Sequence, residues 1–134
     1  MSVVQLGEAH LLADQVEDAR ACADRALMLA RERGERGHEA WALRLLGEIA
    51  SHPDRPDVAT AEAHYGAARV LASDLGMRPL AAHCHLGLGT LSAKIGRLEH
   101  GRAELSTAID LYRAMQMTFW LPQAEAALAQ VEGR

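Results

Sequence analysis

The sequence predicts an all-α fold, and three observations carry that prediction. Ala and Leu are abundant among the 134 residues while aromatics make up only 4%, and Ala and Leu lose little side-chain freedom in a helix. Apolar residues recur at three- and four-residue steps, which keeps them on one helical face. The chain also repeats itself: Leu6-Gly7, Leu46-Gly47 and Leu88-Gly89 are spaced by 40 and then 42 residues. Downstream of each comes a matching trio: Ala19, Ala23 and Ala26, then Ala61, Tyr65 and Ala68, then Gly101, Leu105 and Ala108. The trios are spaced by 42 and then 40 residues, because the middle repeat carries two extra residues within 52–57. A period of this size marks stacked supersecondary units, each burying its apolar face on the next.

Seven helices are expected. The first, over 2–13, holds Val3, Val4, the first Leu-Gly pair and Leu11; the second, over 16–33, holds the first trio and stops at Gly34, where a left-handed cap is wanted. The third, over 37–51, carries Trp41 and Leu46-Gly47, and the proline-rich stretch 52–57 closes it. Asp57 is placed to cap the fourth helix, 57–75, which carries the Tyr65 trio and ends at Gly76. Pro79 suits the first turn of the fifth helix, 79–94, because its missing N–H costs nothing there, and Gly96 ends that helix. The sixth spans 98–115. Thr118 is the expected N-cap of the seventh, 119–132, whose Gln123, Glu125, Gln130 and Glu132 give it one polar side. The chain is then a single domain over 1–134, with repeats at about 2–35, 36–77 and 78–117 and a capping helix over 118–132.

A glycine inside a helix costs about 0.5–1 kcal/mol relative to Ala, so Gly7, Gly47 and Gly89 at matched places call for a compensating gain. Close approach of the paired helix supplies it, with Ala19, Ala61 and Gly101 expected to face the three glycines.

Composition excludes several classes. The net charge of −4 comes from interleaved acids and bases, so no face can neutralise a phosphate backbone, and nucleic acid is not an expected partner. Arg31, Arg33 and Arg36 alternate with Glu32 and Glu35 and make a mixed, solvated helix end. The apolar stretches 26–30 and 86–91 fall far short of the roughly 18 residues that span a bilayer, so no membrane crossing is expected. Cys22 and Cys84 lie far apart, without a secretory leader or a Cys-x-x-Cys pair, which fits a reducing cytoplasm rather than a disulfide scaffold.

The residues quoted above resemble the tetratricopeptide repeat: Leu-Gly, a turn Gly, then Ala, a bulky residue and Ala on the second helix. The third repeat matches best, with Leu88, Gly89, Gly96, Leu105 and Ala108; it departs at Ser92, where the family prefers an aromatic, and at Gly101, where it prefers Ala. The first repeat has His10 at the aromatic place and Ala23 at the bulky one. The period exceeds the family's usual length of about 34 residues, as in the longer-helix variety of large bacterial regulators. The runs 37–50 and 75–89, with Phe119-Trp120-Leu121, resemble the C-terminal repeat region of bacterial multidomain regulators of the cyclase/ATPase or LuxR-like type. The cyclase and ATPase signatures themselves are absent, and no Gly-rich loop ends in Gly-Lys-Ser/Thr.

The resemblance implies a right-handed α-α superhelix, a solenoid whose first helices line a concave groove. The residues then expected to face inward are Glu8, Leu11, Leu12, Trp41, Arg44, Glu48, His83, Leu86, Thr90, Lys94, Gln123 and Ala126. Such a groove accepts an extended segment or a helix through a few anchors, and Trp and Arg are enriched among such anchors. Trp41 has a second reading, in which it packs into the inter-repeat core. The expected function is a protein–protein interaction or scaffold module of a bacterial signalling or transcriptional regulator, with homodimerisation and small-molecule effector sensing as alternatives. Stacked repeats need polar ends, which Val3, Val4, Leu6 and Leu11 do not provide. A missing upstream repeat or a partner is expected there, with Val3, Val4 and Leu11 as self-association candidates.

No enzyme is expected, because no spacing announces an acid–base pair or an activated nucleophile. No cofactor or metal is expected either. His83-Cys84-His85 has suitable side chains for zinc, but consecutive helical residues turn by about 100°, so the two imidazoles diverge. His52, Asp54 and Asp57 form a looser loop cluster that reads as solvated.

Overall fold

The computed structural model describes residues 3–12, 15–52 and 56–133. Among them are seven α-helices and no strand: α1 (Val3–Leu12), α2 (Val16–Arg33), α3 (Arg36–Ala50), α4 (Val58–Asp74), α5 (Arg78–Lys94), α6 (Leu98–Ala114) and α7 (Leu121–Glu132). The fold is all-α. No helix among the described residues is long and apolar enough to cross a membrane.

Helices α2, α4, α5 and α6 end on one recurring turn. At Gly34, Gly76 and Gly96 the backbone is left-handed, with φ of 67°, 70° and 86°. In each case the next residue's N–H reaches back five positions: Glu35 to the Ala30 carbonyl at 2.8 Å, Met77 to Ala72 at 2.8 Å and Arg97 to Ser92 at 2.9 Å. This six-residue closure satisfies carbonyls that a helix end otherwise leaves bare. A fourth copy closes α6, where Met117 donates to Tyr112 at 2.9 Å and the left-handed position is Gln116 with φ 55°. Its sequence hid it, since glycine is the usual occupant.

Asp57 caps α4 as expected: its carboxylate accepts from the Thr60 N–H at 3.2 Å and the Thr60 hydroxyl at 2.7 Å. These two bonds hold the Asp57 carboxyl below its usual range. Thr118 does not cap α7. It lies in the turn before it, and the cap position is Trp120, with Pro122 in the first helical turn. The Met117 carbonyl accepts from the N–H groups of Trp120 and Leu121 at 3.2 and 3.0 Å, so the turn supplies its own acceptor.

Each helix packs on the next in the chain, and α1 with α3, α3 with α5, and α5 with α7 also touch. Helices α5 and α6 run antiparallel, for Ala93 meets Gly101 at one end while His83 meets Tyr112 at the other. The core is unusually rich in alanine: Ala19, Ala23, Ala40, Ala42, Ala61, Ala68, Ala72, Ala82, Ala108 and Ala124 are wholly buried. Small side chains let helices approach closely, and the larger Leu45, Leu80, Leu105, Tyr112 and Val131 fill what remains.

The repeated glycines serve that approach. A Cβ built on Gly47 would lie 2.9 Å from the Tyr65 ring, and one on Gly89 would lie 2.7 Å from Leu105 Cγ. Both glycines therefore meet the middle, bulky member of the trio on the following helix. At Gly47 the three nearest atoms all belong to Tyr65, whose larger side chain fills the gap left by an absent Cβ. Gly101 does lie against Gly89: a Cβ built on Gly101 would be 3.1 Å from the Gly89 carbonyl oxygen. Gly7 meets Leu45 of α3 and Cys22 of α2. Leu46 and Leu88 are buried, whereas Leu6 is 41% exposed.

Candidate functional site

Residues of the odd-numbered helices converge on one hollow of about 490 Å³. Helix α1 contributes Glu8 and Leu11, α3 contributes Arg44 and Glu48 with Ser51 just past its end, and α5 contributes His83, Leu86, Thr90, Leu91 and Lys94. The spacings explain the convergence. Arg44 and Glu48 are four apart, and His83, Leu86, Thr90 and Lys94 follow steps of three and four, so each set forms one stripe on its helix. Eight of the residues expected to face inward thus surround a single cavity.

Two further contributors come from elsewhere. Tyr65 belongs to α4, yet its ring passes between α3 and α5 where Gly47 and Gly87 leave room. A Cβ on Gly87 would lie 2.5 Å from Tyr65 Cε1 and Cζ. Ser51 hydrogen-bonds the Tyr65 hydroxyl, and burial pushes that phenol well above its ordinary range. Trp120, from the turn before α7, closes the other side, with its ring 4.5 Å from that of His83 and 6.4 Å from that of Tyr112, centre to centre. The doublet Leu86-Gly87-Leu88-Gly89 was the available signal for the first of these. Nothing in the spacing pointed to Trp120.

The charges inside are partly compensated. Arg44 forms an ion pair with Glu48 one turn along α3, and its guanidinium lies 5.8 Å from the Trp41 ring centre, within cation–π range. Arg44 Nε is buried and has no hydrogen-bond partner among the described residues. Burial raises the Glu48 carboxyl above its usual range, Arg44 pulls it down, and Glu8 pushes it up again. His83 is buried, with Nδ1 2.6 Å from the Tyr112 hydroxyl. Burial, and then the Arg44 charge, depress its pKa to about 4, so it is neutral at pH 7. This leaves an amphipathic hollow with the half-buried Arg44 cation, acidic groups on α1 and α3, Lys94 at its α5 end, and aromatic walls.

The remaining expected residues lie elsewhere. Trp41 packs beside the core cluster of Ala40, Leu43, Ala68 and Leu80 and lines a second hollow with Val3 and Val4. The side chain of Leu12 lies outside the described residues. Gln123 and Ala126 are exposed and line neither hollow; Gln123 Nε2 donates to the Phe119 carbonyl at 3.2 Å. Their place is taken by Trp120, because α7 starts at Leu121 rather than 119 and the preceding turn tucks that ring inward. Val4 and Leu11 pack against the cluster of Ala19, Ala23 and Leu45, so they support the fold as well as lining hollows.

His83, Cys84 and His85 diverge, as consecutive helical residues must. His83 faces the hollow, Cys84 is wholly buried with its thiol pushed up to about 12, and His85 Nδ1 meets Glu104 of α6 at 2.5 Å. Among the described residues no group of three His, Cys, Asp or Glu side chains could hold a metal ion. Asp54 lies outside the described residues.

The chain matches no known family profile, and no curated protein matches its sequence.

Proposed function

We propose that the chain is a tetratricopeptide-type repeat module, a right-handed superhelix of three helix pairs and a capping helix, whose inner hollow holds a peptide or helix of a partner protein. The observation that supports this reading is the convergence of Glu8, Arg44, Glu48, His83, Thr90 and Lys94, from three successive odd-numbered helices, on one hollow. A groove shared by several repeats suits a segment that runs across them, with apolar anchors against Leu86 and Trp120 and polar contacts to Arg44 and Lys94. The work assigned to the chain is binding, without catalysis and without a cofactor. The resemblance of its repeats to those of bacterial regulators supports a role for that binding in cytoplasmic signalling or transcriptional control.

Panning random displayed peptides against the full chain tests the proposal. Selected peptides should lose about tenfold or more in affinity to Arg44→Ala and Trp120→Ala, as hot-spot truncation does, with helicity retained. Peptides that bind both variants as well as the parent would refute the assignment. A second reading rests on the volume of the hollow, which lies within the roughly 300–1,000 Å³ of small-molecule sites. Under that reading a metabolite, not a peptide, raises the melting temperature by binding the folded state.

A further inference from the structure

Glu8, Arg44, Glu48 and Lys94 all line the hollow framed by α1, α3 and α5, but they differ in what they are bound to. Arg44 and Glu48 neutralise each other across one turn of α3. Among the described residues the side chains of Glu8 and Lys94 have neither a hydrogen bond nor an ion pair. His83 is neutral at pH 7, so one negative and one positive charge in the hollow stand unpaired.

The repeat register fixes where they are. Glu8, Glu48 and Thr90 each follow the glycine of a Leu-Gly pair, so they hold matched places on α1, α3 and α5, and Lys94 lies four residues, about one turn, beyond Thr90. Among the described residues α1 and α5 both pack on α3 and not on each other, so the lone carboxylate and the lone ammonium stand on opposite walls. Two successive helix separations of about 8–10 Å put the axes of those walls no more than about 16–20 Å apart. Lys94 lies in the last turn of α5, where the helix carbonyls favour a cation in any case. Glu8 has no such reason for its place: it lies inside α1 and pushes up the carboxyl of Glu48. A carboxylate held near another carboxylate is relieved by an arriving cation.

We infer that the partner segment held in this hollow is dipolar, with a Lys or Arg side chain that pairs with Glu8 and an Asp or Glu side chain that pairs with Lys94. This rests on the reading of the hollow as a peptide groove and adds the chemistry of its occupant. An extended chain advances about 3.3–3.6 Å per residue, so about five residues separate the two charges, and the stretch between them sets apolar side chains against Leu86 and Leu91. The cation is the more demanding contact, because Glu8 is half-buried and Glu48 lies close by, whereas Lys94 is exposed at the rim. A segment of uniform charge meets a like charge at one wall and is disfavoured there. The two unpaired charges thus select the occupant and set which of its ends lies on α1.

The test uses the full chain and fluorescein-labelled peptides from the panning whose binding depends on Arg44 and Trp120, read by anisotropy. Those peptides should carry a basic and an acidic residue about five positions apart. In the double exchange Glu8→Lys with Lys94→Glu, which keeps the net charge, affinity should fall about tenfold or more while helicity persists. Exchanging the basic and acidic residues of the peptide should restore it. If the double exchange loses helicity, Glu8→Gln and Lys94→Gln take its place, each expected to abolish the preference for one of the two peptide charges. Peptides that need Arg44 and Trp120 yet ignore these changes overturn the inference and leave the groove standing, as does a loss that the exchanged peptide does not restore. Peptides indifferent to Arg44 and Trp120 overturn both.

Discussion

Replacing Gly87 by Ala is the sharpest structural test, because its sign opposes the usual helix rule. In an ordinary helix interior the change is favourable by about 0.5–1 kcal/mol. Here the new methyl would sit 2.5 Å from two atoms of the Tyr65 ring, which fills the gap left by Gly47 and Gly87 and would have to shift towards the hollow. Overpacking of this kind costs about 1–3 kcal/mol, so the net loss is about 1 kcal/mol, with about 2.5 kcal/mol as its upper bound. At this chain length that lowers the melting temperature by roughly 3–10 °C, measurable by circular dichroism. The control is Gly66→Ala in α4, where a Cβ would meet nothing within 4 Å, and which should gain the propensity term. Pairing Gly87→Ala with Tyr65→Leu should remove most of the penalty, a coupling of about 1 kcal/mol or more between touching residues. A Gly87→Ala protein as stable as the parent, or more so, would refute the placement of Tyr65 in the gap.

Other expectations follow from the same geometry. Gly34→Ala, at a left-handed φ of 67°, should destabilise by about 1 kcal/mol, as αL backbone does for a Cβ-bearing residue; a neutral denaturation midpoint would count against the turn. Arg44→Ala leaves Glu48 half-buried beside Glu8 without its cation, and should cost about 1–3 kcal/mol by urea titration, more than Glu8→Ala does. The His83 pKa of about 4 lies below the ordinary 6.5, so the unfolded chain binds the proton more readily. That contribution to stability is fully present above about pH 6.5 and is lost as pH falls towards 4. His83→Gln should flatten this part of the stability profile, and an unchanged profile would contradict the burial. The exposed Arg97–Glu62 pair should be worth under about 1 kcal/mol in a double-mutant cycle.

Much of the architecture was legible in the residues. Helix type and number came from periodicity and composition, and the punctuation of Gly34, Asp57, Gly76, Pro79 and Gly96 placed the boundaries within two residues. The fourth turn escaped notice because Gln116 occupies a left-handed position usually held by glycine, and its hydrogen bonds identify it while its side chain does not. Thr118 misled for the opposite reason: a good capping residue stands where a backbone carbonyl already does the capping. In the candidate site, stripes along α1, α3 and α5 were readable as steps of three and four. Tyr65 was not, since it enters from an even-numbered helix through a gap made by two glycines on two other helices. Trp120 depends on the path of a turn, which local spacing does not encode, and Gln123 was assigned its place for want of that path.

If the hollow floored by Arg44 and Tyr65 holds the partner, the residues that sense it line that hollow. Backbone amide shifts of the isotopically labelled full chain, recorded as a selected peptide is added, examine it most directly. Perturbations should cluster on Glu8, Arg44, Glu48, Thr90 and Trp120, while the outward faces of α2, α4 and α6 stay unchanged. Perturbations confined to those outward faces would contradict it.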